Sequence, residues 1–156
     1  MRPMQILTLM TLTLLASTAM TQVSASSIAN PNLAEQADLA AMPELDSAMA
    51  ATIVASRPLA STNELDAVLN DALTAEGKSA LHVRLFVPIN LNTASRQEIM
   101  LVPGISRRMA HEFEEYRPYT AMEQFRREIG KYVDSAEVAR FEQYVFVPLG
   151  LNSASS

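Results

Sequence analysis

The chain has 156 residues, a formal net charge of −5 and no cysteine. The negative charge argues against a polycation that coats nucleic acid or acidic membranes, and the absence of cysteine excludes thiol chemistry and cysteine-ligated zinc. The charge is uneven: residues 26–89 hold three basic and eight acidic residues, whereas residues 90–156 hold eight basic and nine acidic residues.

The first 25 residues have the pattern of a cleaved signal peptide. Arg2 gives a positive start, residues 6–16 form an apolar run, and Val23, Ser24 and Ala25 form a small-residue cleavage pattern. The apolar run is shorter than the ~20 residues that a membrane-spanning helix needs, and no later stretch approaches that length. We therefore expect an exported protein, periplasmic or secreted, without a membrane anchor after cleavage.

The remainder of the chain matches itself at an offset of 60 positions. The residues that recur 60 positions later include Asn30, Asn32, Ala34, Pro43, Arg57 and Pro58. An ungapped register that keeps turn residues and apolar residues together predicts a tandem duplication. The expected boundaries are a first unit at 30–88, a second unit at 89–148 and a tail at 149–156.

The first unit has the weaker helix signals. Its signals are a stripe of Leu45, Met49 and Ile53, a cap at Ser61 with Glu64, and apolar Leu81 and Leu85 in the last helix. The turn before the second helix contains Glu44 and Asp46, whose carboxylates would repel a phosphate. We expect this unit to be structural, with His82 on its surface.

The second unit predicts four helices joined by short turns. Capping pairs predict the starts of its first, third and fourth helices: Ser95 with Glu98, Thr120 with Glu123, and Asp134 with Glu137. Ile105, Met109 and Phe113 recur at four-residue spacing and predict the second helix from about residue 106 to 116. The predicted fold class is therefore all-α, with two tandem four-helix units after a signal peptide.

The turn between the first two helices of the second unit is the most informative segment. Pro103 ends one helix, and Gly104 lacks a Cβ, so that another backbone can approach closely. The next helix begins with unpaired amides and a partial positive charge, to which Arg107 and Arg108 add. Such a turn would bind duplex DNA through its phosphates without reading the base sequence.

Residues 89–147 resemble the helix-hairpin-helix domain, with its SAM-like fold, of the competence-type DNA receptors, exported proteins that hold duplex DNA during uptake. The likeness is in 89–95, 101–105, Ala110 and 116–117. It implies weak, non-specific binding of double-stranded DNA through Pro103, Gly104, Ile105, Ser106, Arg107 and Arg108, with a decayed second hairpin at Gly130 and Lys131. The family usually has glycine where Ser106 stands.

No enzyme, cofactor or metal site is expected from the sequence. His111 is followed four positions later by Glu115 instead of the second histidine of a helical zinc protease motif. An alternative function remains open, namely a structural or protein-interaction module of the cell envelope that has lost DNA binding. In that interpretation Arg126, Arg127 and Arg140, which alternate with glutamates, are solvated surface.

Overall fold

The computed structural model describes residues 27–149. The predicted signal peptide and residues 150–156 of the predicted tail lie outside this range. Within it, no helix combines the length and the apolar character that crossing a membrane requires.

The described chain is mostly helical, as the sequence predicts. Its elements, in chain order, are α1 (Gln36–Ala40), α2 (Ser47–Ala55), α3 (Thr62–Val68), α4 (Ala75–His82), β1 (Ile89–Asn90), α5 (Arg96–Ile99), α6 (Arg107–Glu115), α7 (Met122–Ile129), α8 (Ser135–Glu142) and β2 (Val145–Phe146). The two short strands pair in parallel, with Ile89 opposite Val145. An isolated parallel bridge joins Ala29 to Leu85, each 60 positions earlier.

Most helix starts follow the predicted caps. Ser95 and Glu98 form the full capping box of α5, and Asp134 accepts a hydrogen bond from the amide of Glu137 at the start of α8. The helix α7 is present as predicted, but its predicted cap at Thr120 with Glu123 was wrong, because the N-cap is Ala121, which has no side-chain acceptor. The amide of Thr120 instead donates to Oε1 of Gln124, at 3.0 Å.

Two hydrophobic clusters form the interior, one built largely by α1–α4 and one by α5–α8. Phe86, just after α4, is buried in the second cluster, where its ring meets Tyr144 edge-on at 5.0 Å between centroids. His82 also packs edge-on against Phe86 and is only 4% exposed. The predicted surface position of His82 was therefore wrong; its Nε2 is satisfied by Oδ1 of Asp66 at 2.7 Å.

Long-range hydrogen bonds repeat at the offset of 60. The Asn32 amide group pairs with both the backbone N–H and C=O of Leu59, and Asn92 does the same with Tyr119. Two half-buried arginines each donate to a pair of backbone carbonyls: Arg57 to Pro31 and Ala34, and Arg117 to Leu91 and Ala94. These bonds fasten the segment before the first helix of each group to the loop after its second helix.

Candidate nucleic-acid interface

The turn between α5 and α6 has a backbone conformation that suits glycine. Gly104 has φ +73° and is the one residue with positive φ in the part of the chain that the structure describes. Val102 is buried, and its carbonyl accepts a hydrogen bond from the amide of Ile105 at 3.1 Å, which closes the turn. Gly104 itself is exposed, so the backbone at this point is open to a ligand.

Arg140, a half-buried residue of α8, holds the turn in place. Its Nη1 donates to the carbonyl oxygen of Pro103 at 2.5 Å, and its Nε donates to Glu137 at 2.8 Å. The guanidinium of Arg140 lowers the pKa of Glu137, and Glu137 in turn raises the pKa of Arg140. The alternative interpretation of the sequence placed Arg140 on the solvated surface. Its alternation with glutamates gave no signal for this contact with Pro103.

Ser106 is the N-cap of α6 and leaves the first amides of that helix free for a ligand. Its Oγ accepts from the amide of Met109 at 3.1 Å. The amides of Arg107 and Arg108 precede the hydrogen-bond ladder of the helix, and both residues are exposed. Ser106 therefore serves as the N-cap, and the positive end of the helix remains accessible.

Arg107 and Arg108 differ from the other cations of this half of the chain. Neither forms an ion pair with any residue of the described range 27–149. The other exposed cations after residue 90 are each paired with a glutamate: Arg96 with Glu114, Arg126 with Glu142, Arg127 with Glu128, and Lys131 with Glu128. The charge that is available to a phosphate is thus concentrated at the start of α6.

The second predicted hairpin, at Gly130 and Lys131, has a different geometry. Gly130 caps α7 with an ordinary helical φ of −61°, and a Cβ there would lie 2.7 Å from the carbonyl oxygen of Arg126. Lys131 is bonded to Glu128, which raises the pKa of the lysine, while Lys131 lowers the pKa of the glutamate. Lys131 therefore offers a shared charge. Gly130 is exposed, but its amide is already bonded to the carbonyl of Arg126 at 3.0 Å, so this turn does not repeat the left-handed backbone of the Gly104 turn.

Two tyrosines connect the two predicted hairpins. The guanidinium of Arg108 lies 5.6 Å from the ring centroid of Tyr132, and Nζ of Lys131 lies 5.2 Å from that of Tyr116. The two hydroxyl oxygens are 2.8 Å apart. The structure thus brings Arg108 and Lys131 to one surface, which we call the tyrosine bridge (Arg108, Tyr116, Lys131 and Tyr132). Sequence reasoning assigned neither tyrosine to the site.

The corresponding turn of the first helical group is closed by its own side chains. Glu44 stands where Gly104 stands in the second group and pairs with Arg84, with 2.7 Å between Oε1 and Nη1. Asp46, in the place of Ser106, caps α2 by accepting from the amide of Met49 at 2.8 Å. The two predicted repulsive carboxylates therefore have structural roles.

The 103–105 turn also borders the first helical group. Lys78 and His82 of α4 line the same groove as Pro103, Gly104 and Ile105. Pro103 and Ile105 are half-buried, while Gly104 is exposed. The first group thus flanks the turn and leaves it uncovered.

His111 and Glu115 form an exposed pair on α6, with 3.9 Å between Nε2 and Oε2. Their side chains are 55% and 64% exposed. No group of three potential metal-binding side chains occurs within residues 27–149. The two residues are one turn of helix apart and form an exposed surface ion pair when His111 is protonated.

A family model for the helix-hairpin-helix motif matches residues 85–134. No curated protein and no solved structure matches the chain. The matched range runs from Leu85, in the cluster built largely by α1–α4, to Asp134, the N-cap of α8. It contains each residue that the sequence predicted to contact phosphate. Residues 85–134 therefore contain a helix-hairpin-helix motif, which in general indicates nucleic-acid binding.

Proposed function

We propose that this protein is exported and binds double-stranded DNA without sequence preference through residues 103–108. The observation that supports this most directly is the pair of exposed, unpaired arginines, Arg107 and Arg108, beside the free amides of α6 and the open backbone of Gly104. Amides and arginines contact phosphate oxygens, which are the same at every base pair. The proposed partner is thus the DNA backbone, and a role in DNA uptake fits an exported protein of this kind.

The proposal includes a tandem duplication with unequal functions. The paired bonds of Asn32 and Asn92, and of Arg57 and Arg117, support two equivalent units at 30–88 and 89–148. In the first unit Glu44 occupies the position of the ligand-binding glycine, so this unit serves as a structural neighbour of the second. Export would be tested by sequencing the amino terminus of the protein recovered outside the cytoplasm, which should begin near residue 26.

The charge count predicts weak, salt-sensitive binding. Each phosphate that a cation neutralises on duplex DNA contributes about −0.9 to the slope of log affinity against log salt. Arg107 and Arg108 are free, whereas Lys131 is shared with Glu128. We therefore expect a slope of about −2, approaching −3 where Lys131 also contacts the backbone.

The test is a titration of labelled blunt duplex at low salt with the chain from residue 26 onward and two double variants. Arg107→Gln with Arg108→Gln removes the two free charges. Arg126→Gln with Arg127→Gln is the matched control, because it removes the same charge from an adjacent pair that is already bonded to glutamates. Arg107→Gln with Arg108→Gln should weaken the affinity for duplex at least tenfold and make the slope of log affinity against log salt less negative by nearly 2. The control variant should change the affinity and the slope much less.

Two results would reject the proposal. The first is no binding of duplex by the unmodified chain at tens of micromolar protein in low salt. The second is an equal loss of affinity in both double variants, since this would mean that general charge, and not the α6 start, attracts DNA. The first result would favour the alternative of an envelope module that binds protein. The second would keep DNA binding but remove it from residues 103–108.

A further inference from the structure

The tyrosine bridge lies directly beside the proposed phosphate site. Tyr132 is 36% exposed, although the rings of Phe113, Phe125 and Phe141 in the same half of the chain are almost fully buried. The Tyr132 ring follows α7, and its neighbour Arg108 belongs to the turn that would hold the phosphate. The bridge therefore places an accessible aromatic ring one side chain away from the DNA backbone.

The ring of Tyr132 is held in a defined position before any ligand arrives. Its hydroxyl is hydrogen-bonded to that of Tyr116, and Arg108 packs over its face. The hydrogen bond to Tyr116 raises the pKa of Tyr132 above its ordinary value of 10.0, and the phenol is therefore neutral well beyond physiological pH. A fixed, neutral ring loses little conformational entropy when a flat ligand stacks on it.

The cations around the ring suit a nucleotide. Arg108 and Lys131 contact the faces of the two tyrosines, and Arg108 has no carboxylate partner in the described range. An aromatic ring flanked by cations is the arrangement by which proteins hold single-stranded nucleic acid, with bases on the rings and phosphates on the cations. Bases inside a duplex are stacked on one another and expose only their edges, so a ring of this kind requires an unpaired base.

We propose that Tyr132, supported by Tyr116, Arg108 and Lys131, is a stacking site for an unpaired base at the end of a DNA duplex. The inference rests on the proposed function, because it takes the 103–108 turn as the site of the neighbouring phosphate. It makes a DNA end with a single-stranded extension, instead of a blunt duplex, the preferred ligand. A stacked base on one aromatic side chain raises affinity by roughly tenfold.

The experiment compares three labelled ligands with the same duplex portion. One is blunt, one carries a three-nucleotide thymine extension, and one carries an abasic extension of equal length, which supplies the same phosphates without bases. The readout is the ratio of affinities for the thymine and abasic extensions. For the unmodified chain this ratio should be about 10.

Three variants test which ring produces the ratio. Tyr132→Ala should reduce it to about 1, whereas Tyr132→Phe should retain most of it, because the ring remains and only the hydroxyl is lost. Phe146→Ala is the matched control, since Phe146 is an exposed aromatic residue (42%) outside the bridge, and it should leave the ratio unchanged. Circular dichroism of each variant checks that the helices are retained.

The outcomes separate this inference from the proposed function. A ratio near 1 for the unmodified chain, with the blunt duplex still bound, overturns the stacking site alone. A ratio that survives in Tyr132→Ala also overturns it. Binding of the thymine extension without binding of the blunt duplex keeps the stacking site and rejects the duplex function, and binding of none of the three ligands rejects both.

Discussion

The substitution Gly104→Ala tests whether the hairpin depends on its left-handed backbone. At φ +73° an L-residue places its Cβ close to the neighbouring carbonyl, which costs roughly 1–2 kcal/mol. The added Cβ would also lie 3.4 Å from Nη2 of Arg140, in van der Waals contact with the side chain that holds the Pro103 carbonyl. We expect a loss of about 1.5 kcal/mol in the free energy of unfolding, or about 5 °C in Tm for a domain of this size.

The measurement is urea denaturation followed by circular dichroism, together with the duplex titration at low salt. Gly77→Ala is the matched control because Gly77 lies in the first turn of α4, where its added Cβ would meet only ordinary contacts at 3.5 Å or more. Alanine in that helical position should raise stability by about 0.5–1 kcal/mol. Glycine-to-alanine substitution should thus lower the free energy of unfolding at Gly104 and raise it at Gly77.

An unchanged stability in Gly104→Ala would refute this reasoning. Glu44, at the corresponding turn of the first group, has no positive φ, so the fold has a second conformation available for such a turn. A neutral substitution would mean that the 103–104 turn had moved to that conformation. Retained DNA affinity in the same variant would further show that the open backbone at Gly104 is not needed for phosphate contact.

The remaining predictions concern buried polar groups. The Tyr119 hydroxyl is buried and has no hydrogen-bond partner in the described structure, and the corresponding residue of the first group is Leu59, which has no hydroxyl. Tyr119→Phe should therefore raise the free energy of unfolding by about 1 kcal/mol. Burial raises the pKa of Tyr119 above its ordinary value of 10.0, so the phenol stays protonated to higher pH in the folded state than in the unfolded state. The free energy of unfolding should therefore fall as the pH rises past about 10, and it should fall less in Tyr119→Phe. Urea titrations at several pH values measure both. Arg117→Met removes two hydrogen bonds to backbone carbonyls and should cost about 3 kcal/mol on urea unfolding, as should Arg57→Met; a loss below about 1 kcal/mol in both would show that these bonds do not fasten the fold.

Local signals in the sequence predicted most of the helices. The Ser95 and Asp134 caps were predicted correctly because a cap depends on residues within three positions of each other. The α7 cap was missed because two nearby patterns competed. Thr120 and Glu123 have capping-box spacing, yet the helix begins one residue later and Gln124 provides the acceptor for the Thr120 amide.

Long-range contacts account for what the sequence could not predict about the site. The contact of Arg140 with Pro103 spans 37 residues, and the ring of Tyr132 meets Arg108 across 24. Arg140 has no sequence pattern that separates it from Arg126 or Arg127, which are bonded to glutamates. Arg108 was predicted for the site from its place after the turn, but its contact with Tyr132 was not. His82 was misplaced for the same reason, since its partners Asp66 and Phe86 are known only once the helices are packed.

The comparison of the two turns shows that the scaffold and the candidate site are independent features. Asn32 and Asn92 form the same bonds in both groups, although one group has Glu44 at the turn and the other has Gly104. The bonds that fasten each group therefore do not require an open turn. Because the fold persists without the turn chemistry, the proposed DNA binding depends on the residues of the turn and not on the helical architecture. The function must be decided at the few exposed groups that distinguish the second turn from the first, which are the Gly104 backbone, the amides at the start of α6 and the charges of Arg107 and Arg108.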